Sequence, residues 1–223
     1  MKIRSSDVAE EKFIKKIIKG EFEANKALPS ERELALYFEV GRPTIREVLQ
    51  RLERNGWITI RKGMPPIVNN YWKHGNLLTI VGILNSYEEV PDEFIEYVLE
   101  LRIVLSPAYI KDAVERHPHK VISLFTNLED LEEDAAAFAH FDWELQINLA
   151  GLSSNPIYLL ILNSFKEVFL LLAEKYFAIS EHRQVTRDYY YEFLNSLFEK
   201  DIQKTEAIIK TMMQKSLELW KIK

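Results

Sequence analysis

The stretch LPSERELALYFEVGRPTIREVLQRLERNGWITIRKGMPPIVNN, Leu28 to Asn70, decides the fold. Ser30 and Glu33 make an S-x-x-E capping box directly after Pro29, which predicts a helix from Glu31. Leu34, Ala35 and Phe38 recur at helical spacing and give that helix one apolar face. Glu39-Val40-Gly41 is a turn, with the glycine expected to take the backbone angles that side chains resist. Pro43 suits the first turn of a second helix, where it has no amide hydrogen to leave unpaired. Ile45, Val48, Leu49 and Leu52 form that helix's buried face, and Asn55-Gly56 ends it. Trp57-Ile58-Thr59-Ile60 reads as a strand, Arg61-Lys62-Gly63 as a basic turn and Ile67-Val68 as a short return strand. Pro65 and Pro66 have no amide to give a ladder, so the ribbon is expected at an edge.

Helix, turn, helix and basic ribbon in that order predict a winged helix-turn-helix. In that motif the N-terminal part of the second helix meets base edges in the major groove. Arg42, Thr44 and Arg46 lie there. Arginine can pair bidentately with guanine, and a threonine hydroxyl can serve phosphate or base. The basic tip of the ribbon suits phosphates or a minor groove. Taken singly, a helix-turn-helix pattern is often a packing motif and a basic turn a solvated loop; their joint occurrence in this order favours DNA.

With 223 residues, 47% of them hydrophobic, the chain has room for one large or two small domains with a real core. It has no cysteine, which excludes a disulfide framework and a thiolate metal site and fits a reducing cytoplasm. The N-terminus has no apolar signal-peptide core. The longest uncharged run, Leu145 to Phe165, contains Asn148, Asn155, Pro156 and Asn163 and makes a poor membrane span, so no membrane partner is expected. The net charge of −5 hides an asymmetry. Residues 1–72 hold 14 Lys+Arg and 10 Asp+Glu, whereas residues 73–223 hold 15 and 24. The DNA candidate is locally basic, as phosphate attraction requires.

Upstream, residues 6–19 read as a helix with an apolar stripe of Val8, Phe13, Ile14, Ile17 and Ile18, ended by Gly20. Residues 69–76 are polar and aromatic, which places a DNA-binding domain at 1–72, a linker at 73–78 and a second domain at 79–223. That second domain reads as all helix: Leu77 to Tyr87, Asp92 to about Arg116 with a kink expected at Pro107, then 119–136, 139–152, 156–178, 182–199 and 201–221. The fold class is therefore mainly α, a winged helix-turn-helix followed by an all-helical bundle. Leu99 to Ala108 and Ile157 to Ala173 are apolar nearly all round, which predicts burial in the middle of the bundle. Arg102, Asn163 and Lys166 stand out inside them, because burying such groups unpaired is costly. Two readings stay open: a satisfied structural network, with Asp142 as a candidate partner for Arg102, or polar groups aimed at a ligand in a cavity.

The run Leu28 to Ala35, followed by Arg42, Thr44, Arg46, Glu47, Leu49, Leu52 and Gly56, closely resembles the DNA-binding domain of the GntR family of bacterial regulators. GWITIRKGMPPIVNNYW, Gly56 to Trp72, is similar to the fatty-acid-responsive branch of that family. The similarity continues through Phe141-Asp142, NPIYLLILN at Asn155 to Asn163, Tyr176-Phe177 and the closing Ser216-x-Glu218-x-Trp220, so it covers nearly the whole chain. This resemblance implies a homodimer on double-stranded operator DNA, with Arg32, Arg42, Thr44, Arg46, Lys62 and Gly63 at DNA-contacting positions. It also implies a bundle that binds long-chain acyl-coenzyme A and thereby releases the DNA. Arg102, Tyr176, Lys210, Ser216 and Trp220 would line or flank that pocket, with Arg102 and Lys210 meeting coenzyme phosphates. Each methylene of an acyl chain buried there contributes roughly 0.8 kcal/mol.

Departures from the branch matter. Gly41 and Pro43 replace hydroxyl residues of the recognition turn, and Lys62 replaces a histidine at the wing tip, so the operator is expected to differ. Met213 stands where the branch has a glycine near the ligand, which narrows the site or changes the chain that fits. Related ligand domains hold a metal through one aspartate and three histidines. Asp142 matches the aspartate, but Gln146, the stretch Tyr190 to Glu192 and Gln214 occupy the histidine positions, so neither a metal nor a cofactor is expected. The alternative is a regulator of the same family answering to another organic acid or amphipathic ligand. No G-x-S-x-G elbow, phosphate-binding glycine loop or H-E-x-x-H occurs, and Glu132, Glu133 and Asp134 read as a solvated cluster, so catalytic residues are not expected and neither is an enzyme.

Overall fold

The reciprocal cap at Ser30 is present in the computed structural model, which describes residues 4–87 and 90–222. The Ser30 amide donates to Glu33 Oε2 at 2.8 Å, and Ser30 Oγ accepts from the Glu33 amide at 3.4 Å. It starts the second helix of a first unit that runs to Val90 and is built from α1 (Ser5–Ile18), α2 (Glu31–Tyr37), α3 (Arg42–Arg54), β1 (Ile58–Thr59), β2 (Ile67–Val68), α4 (Tyr71–His74) and α5 (Leu77–Ser86). Phe13, Ile14 and Ile17 of α1, Leu34 and Ala35 of α2, and Ile45, Val48, Leu49 and Leu52 of α3 are buried together with Trp57. Arg51 of α3 pins α1 through Asp7 at 2.8 Å and Glu10 at 3.1 Å.

Three local expectations change. The left-handed residue of the helix-turn-helix is Glu39 (φ 56°), while Gly41 is extended as the N-cap of α3 (φ −69°). The cause is the way α2 ends: the Val40 amide donates to the Ala35 carbonyl at 3.0 Å and the Glu39 amide to that of Leu36 at 3.3 Å, a Schellman closure whose left-handed position falls on Glu39. The ribbon is antiparallel, with Ile58 opposite Val68 and Thr59 opposite Ile67, but β2 is not at an edge. Residues 25–28 pair along its other side, with the Asn25 amide donating to the Val68 carbonyl at 2.7 Å and the Leu28 amide to that of Pro66 at 2.8 Å. Pro66 is tolerated because it only accepts. Finally, residues 73–78, the expected linker, are tied to the first unit. The Asn76 side chain donates to the Arg54 carbonyl at 3.0 Å and Thr79 Oγ1 to that of Asn55 at 2.6 Å, while α5 packs on α1 with Gly82 seated against Trp57 and Ile14. These contacts carry the first unit past the expected Trp72 end.

The second unit, from Pro91, contains α6 (Asp92–Arg116), α7 (Pro118–Ser123), α8 (Ala135–Leu152), α9 (Pro156–Asn163), α10 (Lys166–Phe177), α11 (Ser180–Glu199) and α12 (Ile202–Ile222). Helix α6 packs against α12 and α8, α8 against α10 and α9, and α11 against α12. Tyr109, Ile110, Leu145, Leu149, Tyr190, Phe193 and Met213 belong to its core. No single helix among the described residues is long and apolar enough to cross a membrane.

The helix expected over 119–136 ends at Ser123. Ser123 Oγ and Thr126 Oγ1 each donate to a carbonyl three residues back, at 2.7 Å, and residues 124–134 form turns until Asp134 caps α8 by accepting from the Ala137 amide at 3.0 Å. The helix expected over 156–178 is broken by a bend of 72° between α9 and α10. Ser164 and Phe165 donate their amides three residues back, to Ile161 at 3.1 Å and Leu162 at 2.8 Å, which tightens and then ends α9. As a result α9 buries none of its residues fully, Leu160 is 60% exposed, and Asn163 and Lys166 are exposed. Val104 of α6 likewise faces outward, 72% exposed. The expectation that both apolar segments lie wholly inside the bundle therefore fails; of the three polar groups singled out, only Arg102 lies in the interior.

Candidate DNA interface and effector site

The DNA candidates sit at two places in the first unit. Arg42 and Arg46 are exposed and Thr44 is half-buried on the N-terminal half of α3, because Ile45, Val48 and Leu49 turn the opposite side inward. Arg32 is exposed on α2, and Arg46 Nε pairs with Glu31 Oε2 of that helix at 2.7 Å. Lys62 and Gly63 occupy the exposed turn before β2, where Gly63 has φ +76°, a conformation that favours glycine over any residue with a Cβ. Cations on the leading end of one helix and on a ribbon tip can bridge a base edge and a phosphate on one duplex. Glu31 as the partner of Arg46 was not anticipated, although its place in the first turn of α2 is plain in the sequence.

In the second unit Arg102 and Asp142 come together. Arg102 Nη1 lies 3.0 Å from Asp142 Oδ2, and the carboxylate, 2% exposed, also accepts from the Tyr190 hydroxyl at 3.1 Å and from Gln146 Nε2 at 3.2 Å. Tyr109 donates to Gln146 Oε1 at 2.6 Å and lies 3.0 Å from Ser106 Oγ. The guanidinium also sits 5.4 Å from the centre of the Phe169 ring. Burial works most strongly against the charge of Arg102, but Asp142 together with Tyr109, Tyr190 and Tyr189 outweighs it, and the guanidinium titrates above its ordinary value. Burial pushes the Tyr109 phenol up to about 12, with the hydrogen bond to Ser106 pulling the other way, so it stays a donor at neutral pH. Breaking such a buried pair from one side costs about 3–5 kcal/mol. Tyr109 was missed in the sequence, although Arg102, Ser106 and Tyr109 at i, i+4 and i+7 fall on one helical face.

The other expected effector residues divide. Tyr176, buried on α10, packs 4.3 Å from the His182 ring and 6.1 Å from the Trp220 ring. Burial raises its phenol, with the Ser216 hydroxyl opposing. Trp220 Nε1 donates to the Asp92 carbonyl at 3.2 Å and Ser216 Oγ to that of Met212 at 2.9 Å. Arg102 and Tyr176 line a crevice of about 20 Å³ between α6 and α10, while Arg102, Tyr109, Gln146 and Phe169 line a second of about 40 Å³ roofed by Ile161 and Leu162 of α9. Both are far below the roughly 300 Å³ at which small-molecule pockets begin. Met213 is buried in the core that contains Tyr109 and Tyr190. Lys210 does not join this group: it is 60% exposed and paired with Glu206 at 2.6 Å, and Glu206 also holds Lys111 at 2.7 Å. The two lysines pull the Glu206 carboxyl down to about 2. At the positions compared with metal ligands, Gln146 and Tyr190 are both hydrogen-bonded to Asp142, and no group of three or more metal-type ligands occurs among the described residues.

Comparison with known proteins also divides the chain in two, at residues 68 and 69, which puts α4 and α5 with the C-terminal part. Residues 5–68 match the family described as "Bacterial regulatory proteins, gntR family", and residues 69–223 match the FadR C-terminal domain. The fatty acid metabolism regulator protein of Shewanella pealeana is 36% identical over 212 residues, spanning 95% of this chain and 89% of its own. That of Haemophilus influenzae is 35% identical over 214 residues, spanning 96% and 89%. Among solved structures, Lar, which controls the expression of the Listeria monocytogenes agr system, matches with a TM-score of 0.66 at 17% identity over 100% of this chain and 99% of its own, a likeness of fold. The chain thus belongs to the gntR family of bacterial regulatory proteins, as a DNA-binding transcription regulator that carries the FadR C-terminal domain.

Proposed function

We propose that this regulator controls genes of fatty acid metabolism, binds operator DNA as a homodimer, and is released from it when long-chain acyl-coenzyme A enters the C-terminal bundle. In this reading Arg32, Arg42, Thr44, Arg46, Lys62 and Gly63 contact the operator. The observation that carries the effector half is the buried Arg102 group, a guanidinium held by Asp142 inside an interior of aliphatic and aromatic side chains. An anionic headgroup can exchange with the Asp142 carboxylate for that guanidinium, while the apolar walls take the chain. Because the crevices total far less than an acyl chain requires, the ligand must separate α6 from α9 and α10; α9, with no fully buried residue, is the wall with the least to lose. Two-fold symmetry matches the palindromic sites that paired recognition helices read, and the protein acts where its DNA is, in the cytoplasm.

Calorimetry with long-chain acyl-coenzyme A, against free coenzyme A and free fatty acid as controls, tests the effector. Tight binding of the thioester alone is expected. No heat with the thioester, together with binding of a small organic acid, would replace it with the second reading, which the small crevices and the bulk of Met213 favour: a regulator of this family with a smaller effector.

A further inference from the structure

The solvent face of α1 and its C-cap carry four lysines outside the DNA-contacting positions named above. Lys12, Lys15, Lys16 and Lys19 fall at i, i+3, i+4 and i+7, on one side of the helix and opposite the buried Phe13, Ile14 and Ile17. With Glu21 and the end of α2, at Tyr37, Phe38 and Glu39, they line a groove of about 460 Å³. Lys15 is tied to Glu11 at 2.7 Å and Lys16 to Glu21 at 2.5 Å, while Lys12 and Lys19 have no ion-pair partner among the described residues. Lys16 also lies 5.5 Å from the centre of the exposed Tyr37 ring. A helix dipole favours cations in the last turn, but that accounts for Lys15 and Lys16, which already have carboxylate partners, and not for Lys12 a turn earlier. One rim of the groove is Glu39, in the left-handed link three residues before Arg42, where α3 begins. The groove therefore opens beside the end of the helix that reads the major groove.

We propose that this lysine groove is a second DNA contact, which seats the phosphate backbone of the same duplex just outside the bases read by α3. The proposal rests on the DNA-binding reading and extends it. Lysines are compact, strongly hydrated point charges that attract phosphate without reading a base, so the groove adds affinity and salt dependence and no sequence preference. Operator flanks of any sequence would serve.

The test compares the full-length protein with the triple variant Lys12→Gln, Lys16→Gln, Lys19→Gln. The probes are a duplex recovered by selection from random sequence, used trimmed to its recognised bases and with about ten flanking base pairs on each side, roughly one helical turn, and a random-sequence duplex. An unchanged melting temperature checks that the variant is folded, as expected for side chains on the solvent face. The variant should bind the long duplex more weakly, with a slope of log affinity against log salt shallower by about 0.9 for each phosphate that the removed lysines neutralise. It should keep the wild-type ratio of selected to random duplex. Trimming the flanks should weaken the wild type and leave the variant unaffected. Equal slopes and an equal response to trimming in the two proteins would overturn the proposal, as would a variant that loses only binding of free coenzyme A. Arg46→Ala separates this proposal from the reading beneath it, since that variant should show a reduced preference for the selected duplex and keep the response to flanks. If selection returns no preferred site, the sequence-reading assignment fails, while slope and length dependence on random duplex still decide the groove.

Discussion

Arg46 is held by Glu31 at 2.7 Å, but both side chains are exposed, and an ion pair of that kind contributes no more than about 1 kcal/mol. It can therefore be given up for guanine or phosphate on DNA. Arg46→Ala should cost about 1–3 kcal/mol of discrimination between operator and random duplex and leave the melting temperature unchanged; undiminished discrimination in a competition assay would remove Arg46 from the reading face. The pair formed by Arg102 and Asp142 differs because its carboxylate is buried: it yields only to another anion, with Tyr190 and Gln146 still holding Asp142. Asp142→Ala should destabilise the bundle by about 3–5 kcal/mol, and Asp142→Leu combined with Arg102→Met should recover most of that. Urea unfolding of the single and double variants decides, and a small loss in the single variant would show that the pair is not a structural anchor. Glu39 carries a conformational penalty at φ 56°, so Glu39→Gly should raise stability by about 1 kcal/mol. Arg102 with Asp142 could be anticipated from an arginine in an apolar helix needing a partner; the left-handed role of Glu39 could not, because a glycine two residues on is the better local candidate and only the closure of α2 decides between them.

Among the elements, those with chemistry at their ends were readable in the sequence. The capping box of α2, Pro43 in the first turn of α3 and the left-handed Gly56 after it each satisfy or avoid a specific orphan amide or carbonyl. The break between α9 and α10 has no glycine or proline and depends on i→i−3 bonds at Ser164 and Phe165, so periodicity ran straight through it. The loop before α9 is tied by Asp112, whose carboxylate accepts from the Ser154 amide and from Ser153 Oγ at 2.9 Å. These bonds and Arg116 hold its carboxyl well below the ordinary value of 3.8. A depressed carboxylate contributes stability that is complete above the unfolded value and is lost as pH falls below it. Acidification below about pH 4 should therefore loosen the α8–α9 connection, and Asp112→Asn should loosen it already at neutral pH, both visible as faster amide exchange there. With no fully buried residue, α9 should exchange faster than α8 or α10, and acyl-coenzyme A should slow it; equal protection of α8, α9 and α10 in the free protein would deny α9 its place as the moving wall.

Across the whole molecule, charge and chemistry separate in the same way as the two units. The basic N-terminal part carries exposed arginines on α3 and a row of lysines along α1, while the acidic remainder holds Arg102 against the buried Asp142. Composition and motif order were enough to read the winged helix and the all-helical second unit. The compact first unit runs on to Val90 because the Asn76 and Thr79 side chains hold the start of α5 to the end of α3 and α5 packs on α1. Composition and motif order could not place Lys210 outside, since Lys210 and the buried Met213 are an i, i+3 pair only about 60° apart around α12. If acyl-coenzyme A and operator DNA act on one equilibrium, each must weaken the other by the same factor. The direct check is calorimetric: acyl-coenzyme A affinity for the full-length protein, alone and saturated with operator duplex. The expected result is a loss of affinity on DNA equal to the loss of DNA affinity caused by the ligand; identical acyl-coenzyme A affinity in the two states would contradict the linkage.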